Sequence, residues 1–177
     1  MIRIPSKILK ALLLAASKKD VRYHLVGVHV NERHVVGCDG ARLHAWAHRQ
    51  EWPHGPVTIP RSAVELALKA KTAEIEISDV SVGPIAFKPV DGEYPDYMRV
   101  IPSVTLGVTE GPVEANVNPD YLVDARAFVQ SVYPGEAAVL SLVGGAFTWQ
   151  NPVAAAVVVA LRPTQKTPVL TSLERFE

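Results

Sequence analysis

The chain has 177 residues, is 48% hydrophobic and 20% charged, and contains 11 glycines and 14 prolines, which describes a soluble globular protein of one or two domains. Its longest wholly apolar run, residues 153–161, is too short to span a bilayer, and Arg3, Lys7 and Lys10 break up what would otherwise resemble a signal peptide, so a cytoplasmic protein is expected. Cys38 is the single cysteine, which excludes an intrachain disulfide and a thiolate metal cluster and leaves a free buried thiol. The formal net charge of zero hides an asymmetry: residues 1–50 carry nine Lys/Arg against three acids, and the remainder carries the balancing excess of acids. Cations concentrated in one region suit a protein that meets a polyanion along one surface.

In chain order, residues 1–4 have strand character, and Pro5-Ser6 opens an Ala/Leu/Lys-rich helix ending near Ser17-Lys18-Lys19. Ile8, Leu9, Leu12, Leu13, Ala15 and Ala16 face a core, while Lys7, Lys10, Ser17 and Lys18 recur on the other side. Strands are expected at 22–30, 34–37 and 42–48, with Asp39-Gly40 breaking the chain between the last two. The order then repeats. Residues 57–59 form a short strand, Pro60 sits at a helix start, residues 61–71 form a second helix, and 73–78 and 82–90 are strands. A turn-rich connector follows at 91–102, where glycine, prolines and three carboxylates cannot continue a helix or central strand. Residues 113–117 lead to Asn118 as N-cap, Pro119 at the first helical position and Asp120 beside the positive helix end. That helix runs to about Val132, Pro134-Gly135 stops it, and strands are expected at 138–143, 146–150 and 154–161. Three units of like order make an internal structural repeat in an α+β chain.

The motifs acquire a common reading when set in order. Asp20-Val21-Arg22-Tyr23-His24-Leu25, Cys38-Asp39-Gly40-Ala41-Arg42-Leu43 and Val57-Thr58-Ile59-Pro60-Arg61 come first. The connector Asp91-Gly92-Glu93-Tyr94-Pro95-Asp96-Tyr97-Met98-Arg99-Val100-Ile101-Pro102 follows, then Asn116-Val117-Asn118-Pro119-Asp120-Tyr121-Leu122 and Val157-Val158-Val159-Ala160-Leu161-Arg162. Together they resemble the bacterial DNA polymerase III beta subunit, the beta sliding clamp. The family has three domains of two units each, whereas only three units are readable here. The resemblance therefore implies a complete middle-type domain at 1–102, with the connector at 91–102, a second-half unit of a last domain at 103–163, and a C-terminal tail at 164–177.

That resemblance implies a DNA-clamp fold, a non-enzymatic processivity factor and two working surfaces. Clamp helices line a hole in which cations meet phosphates without reading bases, and Lys7, Lys10, Lys18, Arg61 and Lys69 are the candidates. The third helix contributes little, because Asp120 and Asp124 dominate its polar side and Arg126 is its one base. The second surface is a groove for short peptides of the polymerase, clamp loader and repair proteins. Cys38, Gly40, Arg42 and Leu43 match its turn, Pro95, Arg99 and Val100 its connector, and Val158, Val159, Ala160, Leu161 and Arg162 its last strand. Twelve units close the family's ring, so four copies of this chain suffice by count, with the C-terminal units pairing across a two-fold axis. No membrane partner and no cofactor are expected.

Other chemistries are weaker. A truncated, non-encircling protein that competes for clamp-recognition peptides is the alternative within the fold, and a small metal-dependent DNA hydrolase is the enzymatic one. All six histidines fall between positions 24 and 54, and His44 with His48 share a strand face, yet no Cys or Glu recurs at a metal spacing. Asp91, Glu93 and Asp96 are explained by turn chemistry, and nothing beside Cys38 and His44 supplies an activating motif for a thiol nucleophile.

Overall fold

The computed structural model describes residues 1–101, 117–135, 141–143 and 145–160. The strand expected at 113–117, except for Val117, lies outside them, as do the start of the strand expected from 138, Pro102, Leu161, Arg162 and the tail.

Alternation of buried Ile2 and Ile4 with exposed Arg3 makes β1 (Ile2–Pro5), and its partner β6 (Glu74–Ile77) alternates in the same way. Ile2 faces Ile77 and Ile4 faces Ile75, so four isoleucines share one face. α1 (Ser6–Ala15) buries Ile8, Leu9, Ala11, Leu12, Leu13 and Ala15, the residues its periodicity marks. β2 (Gly27–Val30), β3 (His34–Cys38) and β4 (Arg42–Ala47) form an antiparallel meander, and β5 (Val57–Pro60) leads directly into α2 (Arg61–Leu68). β7 (Ser81–Val82) and β8 (Ile85–Ala86) finish the second unit. In α3 (Pro119–Val132) the Asn118 side chain accepts the Asp120 N–H at 3.0 Å, as an N-cap does, and β9 (Ser141–Val143), β10 (Ala146–Asn151) and β11 (Ala154–Val159) follow.

Two sheets result, ordered β1-β6-β7-β8 and β5-β2-β3-β4-β11-β10-β9. Each of the first two units lends its opening strand to the other's sheet, β5 to β2 and β1 to β6. The third unit extends the longer sheet by pairing β11 antiparallel to β4, Leu43 opposite Val157 and Trp46 opposite Ala154. Side-chain alternation gives this sheet two cores. One lies against the helices and holds Leu9, Leu12, Val28, Val30, Val35, Ile59, Val64, Phe128, Ala156 and Val158. The other lies on the opposite face and holds Leu25, Val36, Cys38, Leu43, Ala45, Ala146 and Val157, closed over by Tyr94 and Tyr97 of the connector.

Four boundaries differ from the sequence expectation, the first being α1, which stops at Ala15 rather than near residues 17–19 as Ala16 turns extended. The strand expected from 22 starts only at Gly27, because the Asp20 carboxylate takes the Arg22 N–H at 2.8 Å and Tyr23–Leu25 coil into a 3-10 turn. α2 stops at Leu68 rather than 71; the next residues turn, and Lys71 adopts φ 54°. The strand expected over 82–90 is broken at Gly83, with φ 54°, into the short pair β7 and β8, and residues 87–90 leave the sheet.

Candidate docking and nucleic-acid surfaces

On the helix face, α1 and α2 flank a cleft of about 460 Å³ lined by Lys7, Lys10, Arg61 and Lys69 together with Leu13, Leu14, Glu65 and Leu68. Four of the five cations expected from the sequence are thus brought together; Lys18 lies past the end of α1, outside the cleft lining. Lys7, Lys10, Lys18 and Lys69 are exposed. Arg61 is not a free cation. Its guanidinium donates to the carbonyls of Leu13 at 3.0 Å and Ala16 at 2.8 Å and, through Nε, to Glu65 at 2.7 Å. It satisfies carbonyls at the C-terminal end of α1 and ties the two helices together.

The groove residues expected from the sequence divide between the two sheet faces. Leu43 is fully buried on the face away from the helices, beside Cys38. Arg42, one residue earlier, points toward α3: it pairs with Asp39 at 2.9 Å and with Asp124, and lies 4.2 Å above the Tyr121 ring. Val158 is likewise fully buried on the helix side, while Val157, its neighbour, joins Leu43. Val157, which is not among the groove residues expected from the sequence, shares the face of Leu43, as strand alternation opposite Leu43 indicates. Val159 and Ala160 are half-buried; Gly40, Pro95, Arg99 and Val100 are exposed, with Arg99 paired to Asp96 at 3.0 Å.

Gly40 adopts φ 90°, and the Asp39 carboxylate accepts the Ala41 and Arg42 N–H groups at 2.9 and 3.0 Å, which builds the turn. Arg22 leans over it, donating to the Asp39 carbonyl at 3.1 Å and to Asp20, whose carboxyl its guanidinium holds down at about 2.

Two of the histidines, His29 and His34, form the bed of the connector. Tyr94 stacks on His29 with ring centroids 4.2 Å apart, and His29 Nδ1 shares a hydrogen bond with Thr58 Oγ1 at 3.1 Å. Tyr97 Oη accepts from Asn31 Nδ2 at 2.9 Å and meets His34 Nδ1 at 2.8 Å. Burial holds His29 at about 4 and lowers His34, so both rings are neutral near pH 7, and His34 Nδ1 shares a hydrogen bond with the Tyr97 hydroxyl. Farther along the same sheet face, Met98 and Ile101 roof a pocket of about 150 Å³ floored by Ala45, Ala47 and Ala155.

Catalytic geometry is missing at the residues weighed for it. Cys38 and His44 lie on opposite faces of the sheet, and burial pushes the Cys38 thiol up, away from a thiolate nucleophile. Among the described residues no three His, Cys, Asp or Glu side chains converge as metal ligands, and no helix is long and apolar enough to cross a membrane.

Exchanged opening strands, helices gathered on one face and a connector strapped across the other define the fold of a bacterial DNA sliding clamp. The chain is similar to the DNA polymerase III subunit beta of Pseudomonas aeruginosa, with a TM-score of 0.63 and 19% identity over 92% of this chain and 66% of that one. The corresponding subunit of Borrelia burgdorferi gives 0.65 and 14%, over 91% of this chain and 64% of its own. The sliding clamp of Bacillus subtilis gives 0.62 and 18%, over 92% and 64%. The chain therefore spans just under two thirds of the length of each of these clamps. No family model matches the sequence, and no curated protein matches it by sequence.

Proposed function

We propose that this chain is a clamp-like, sequence-independent DNA-binding protein and a docking platform for leucine- or phenylalanine-anchored peptides of replication and repair proteins. It performs no reaction itself and works as a homo-oligomer. The observation that carries the reading is the α1–α2 cleft: in a sliding-clamp fold, Lys7, Lys10 and Lys69 stand exposed together on the helix face, opposite the connector. Flexible ammonium groups on rigid helices contact phosphates without fixing register, which lets a duplex slide. On the other face, half-buried Val159 and exposed Pro95 and Val100 supply apolar surface over the buried Leu43 and Val157, beside a turn and a connector whose backbones are held by local hydrogen bonds.

The test is retention on nicked circular duplex DNA at low salt, followed by linearisation. Retention that vanishes when the circle is cut marks an encircling clamp. Equal retention on circular and linear DNA marks the non-encircling alternative, and no binding to either sinks the DNA reading. Fluorescence anisotropy with a labelled leucine- and phenylalanine-bearing peptide tests the docking face separately.

A further inference from the structure

Eight of the ten connector residues 91–100 are exposed, and the two that are buried are Tyr94 and Tyr97. Both stand on histidines. The Tyr94 ring lies within 10° of parallel to His29, and Tyr97 meets His34 and His29 edge-on, with centroids 5.9 and 6.5 Å apart. His29 belongs to β2 and His34 to β3, so two rings on neighbouring strands fasten the connector to the sheet. Behind them the Asn31 carbonyl meets His48 Nε2 at 2.9 Å, while the Asn31 side chain bonds Tyr97 Oη. Pro95 lies between the two tyrosines, and the Arg99 and Val100 N–H groups donate to the Asp96 and Tyr97 carbonyls. The exposed Pro95, Arg99 and Val100 are thus carried on this fastening.

Arg33 and His48 face His34, Asp96 and Arg33 face Tyr97, and Cys38 and Asp39 face Tyr94. Among the described residues no carboxylate pairs with either imidazole: His29 Nδ1 meets the Thr58 hydroxyl of β5, and His34 Nδ1 meets the Tyr97 hydroxyl. A proton on either ring therefore introduces a charge that nothing bonded to it offsets, and water reaches that charge when the tyrosines lift. We infer that His29 and His34 are positioning residues for the connector, holding Pro95, Arg99 and Val100 in place while neutral and letting the connector lift from a folded sheet once protonated. Burial lowers both rings, His29 from 6.5 to about 4, so the fastened state is favoured above pH 6.5 and weakens as pH falls toward 4. The consequence for peptides rests on the docking reading above: binding on this face becomes acid-sensitive.

NMR of the whole chain with ring-labelled tyrosine follows the connector apart from any peptide. The Tyr94 and Tyr97 signals are expected to move to solvent-exposed positions as pH falls from about 7 to about 4.5, while the α2 signals stay in place. A labelled leucine- and phenylalanine-bearing peptide without titratable side chains is expected to lose about tenfold in affinity between about pH 7 and about pH 5. His29→Phe combined with His34→Gln, which removes both titrations, is expected to flatten the two dependences. Tyrosine signals that hold their positions throughout, or that move only together with those of α2, overturn the inference. So does an equally steep dependence in the double variant. A peptide that binds at no pH defeats the docking reading instead, and the ring signals still decide the fastening.

Discussion

At Gly37 the backbone of β3 passes directly beneath α1, and a methyl group there would stand 2.1 Å from the Leu12 carbonyl oxygen. Main chain cannot yield as a flexible side chain does, so Gly37→Ala is expected to destabilise the fold by about 1–3 kcal/mol in urea titration. An unchanged midpoint would show that α1 is free to move away from the sheet. One strand over, His44 is fully buried, bonded through Nδ1 to the Ala11 carbonyl at 2.8 Å and stacked on Phe128. Its Nε2 has no partner, and burial holds the ring at about 4, as it does His29. Each imidazole is depressed from 6.5, so each contributes stability that is present above pH 6.5 and lost as pH falls toward 4. The loss is on the order of 3 kcal/mol per ring. His44→Leu is expected to flatten that dependence in denaturation curves taken across the window; an equally steep dependence would assign the titration elsewhere.

Elements are held by residues that look like surface in the sequence. Arg61 satisfies carbonyls of α1 from the start of α2, and Arg42 joins β4 to α3 through Asp124 and Tyr121. The connector depends on its tyrosines: Tyr94 on His29, and Tyr97 between Asn31 and His34. Tyr97→Phe removes one hydroxyl and leaves two polar partners unpaired, which costs about 1–2 kcal/mol. Hydrogen exchange of the connector amides is therefore expected to accelerate about tenfold while α1 exchanges as before. Acceleration spread evenly over the chain would mean that the connector is not a separable element.

Across the whole molecule, folding brings Lys7 and Lys10, two of the nine cations of residues 1–50, together with Lys69 in one cleft on the helix face. Replacing all three with glutamate is expected to abolish DNA binding at moderate salt while leaving peptide docking on the opposite face unaltered. Individual Lys→Ala changes should each lower the slope of log affinity against log salt by about 0.9. A slope indifferent to all three would move the DNA contact off this face. All three side chains are exposed, so thermal melts of the variants should match the unsubstituted chain.

Local information was enough for the helices and for most strands. The apolar periodicity of α1, the Asn118-Pro119 start of α3 and the Asp39-Gly40 turn each depend on residues a few positions apart, so they are legible in one dimension. The ordered motifs likewise pointed to the clamp fold that the chain adopts. Tertiary structure alone decided which face each side chain serves. A strand turns its side chains over at every residue, so Val157 and Val158, or Arg42 and Leu43, are neighbours in sequence and sit on opposite sides of a sheet. It also decided what the histidines do, because His29, His34 and the connector tyrosines are more than sixty residues apart and meet only when the connector is laid across the sheet. Composition and spacing specify elements, whereas strand pairing selects the face on which each residue acts.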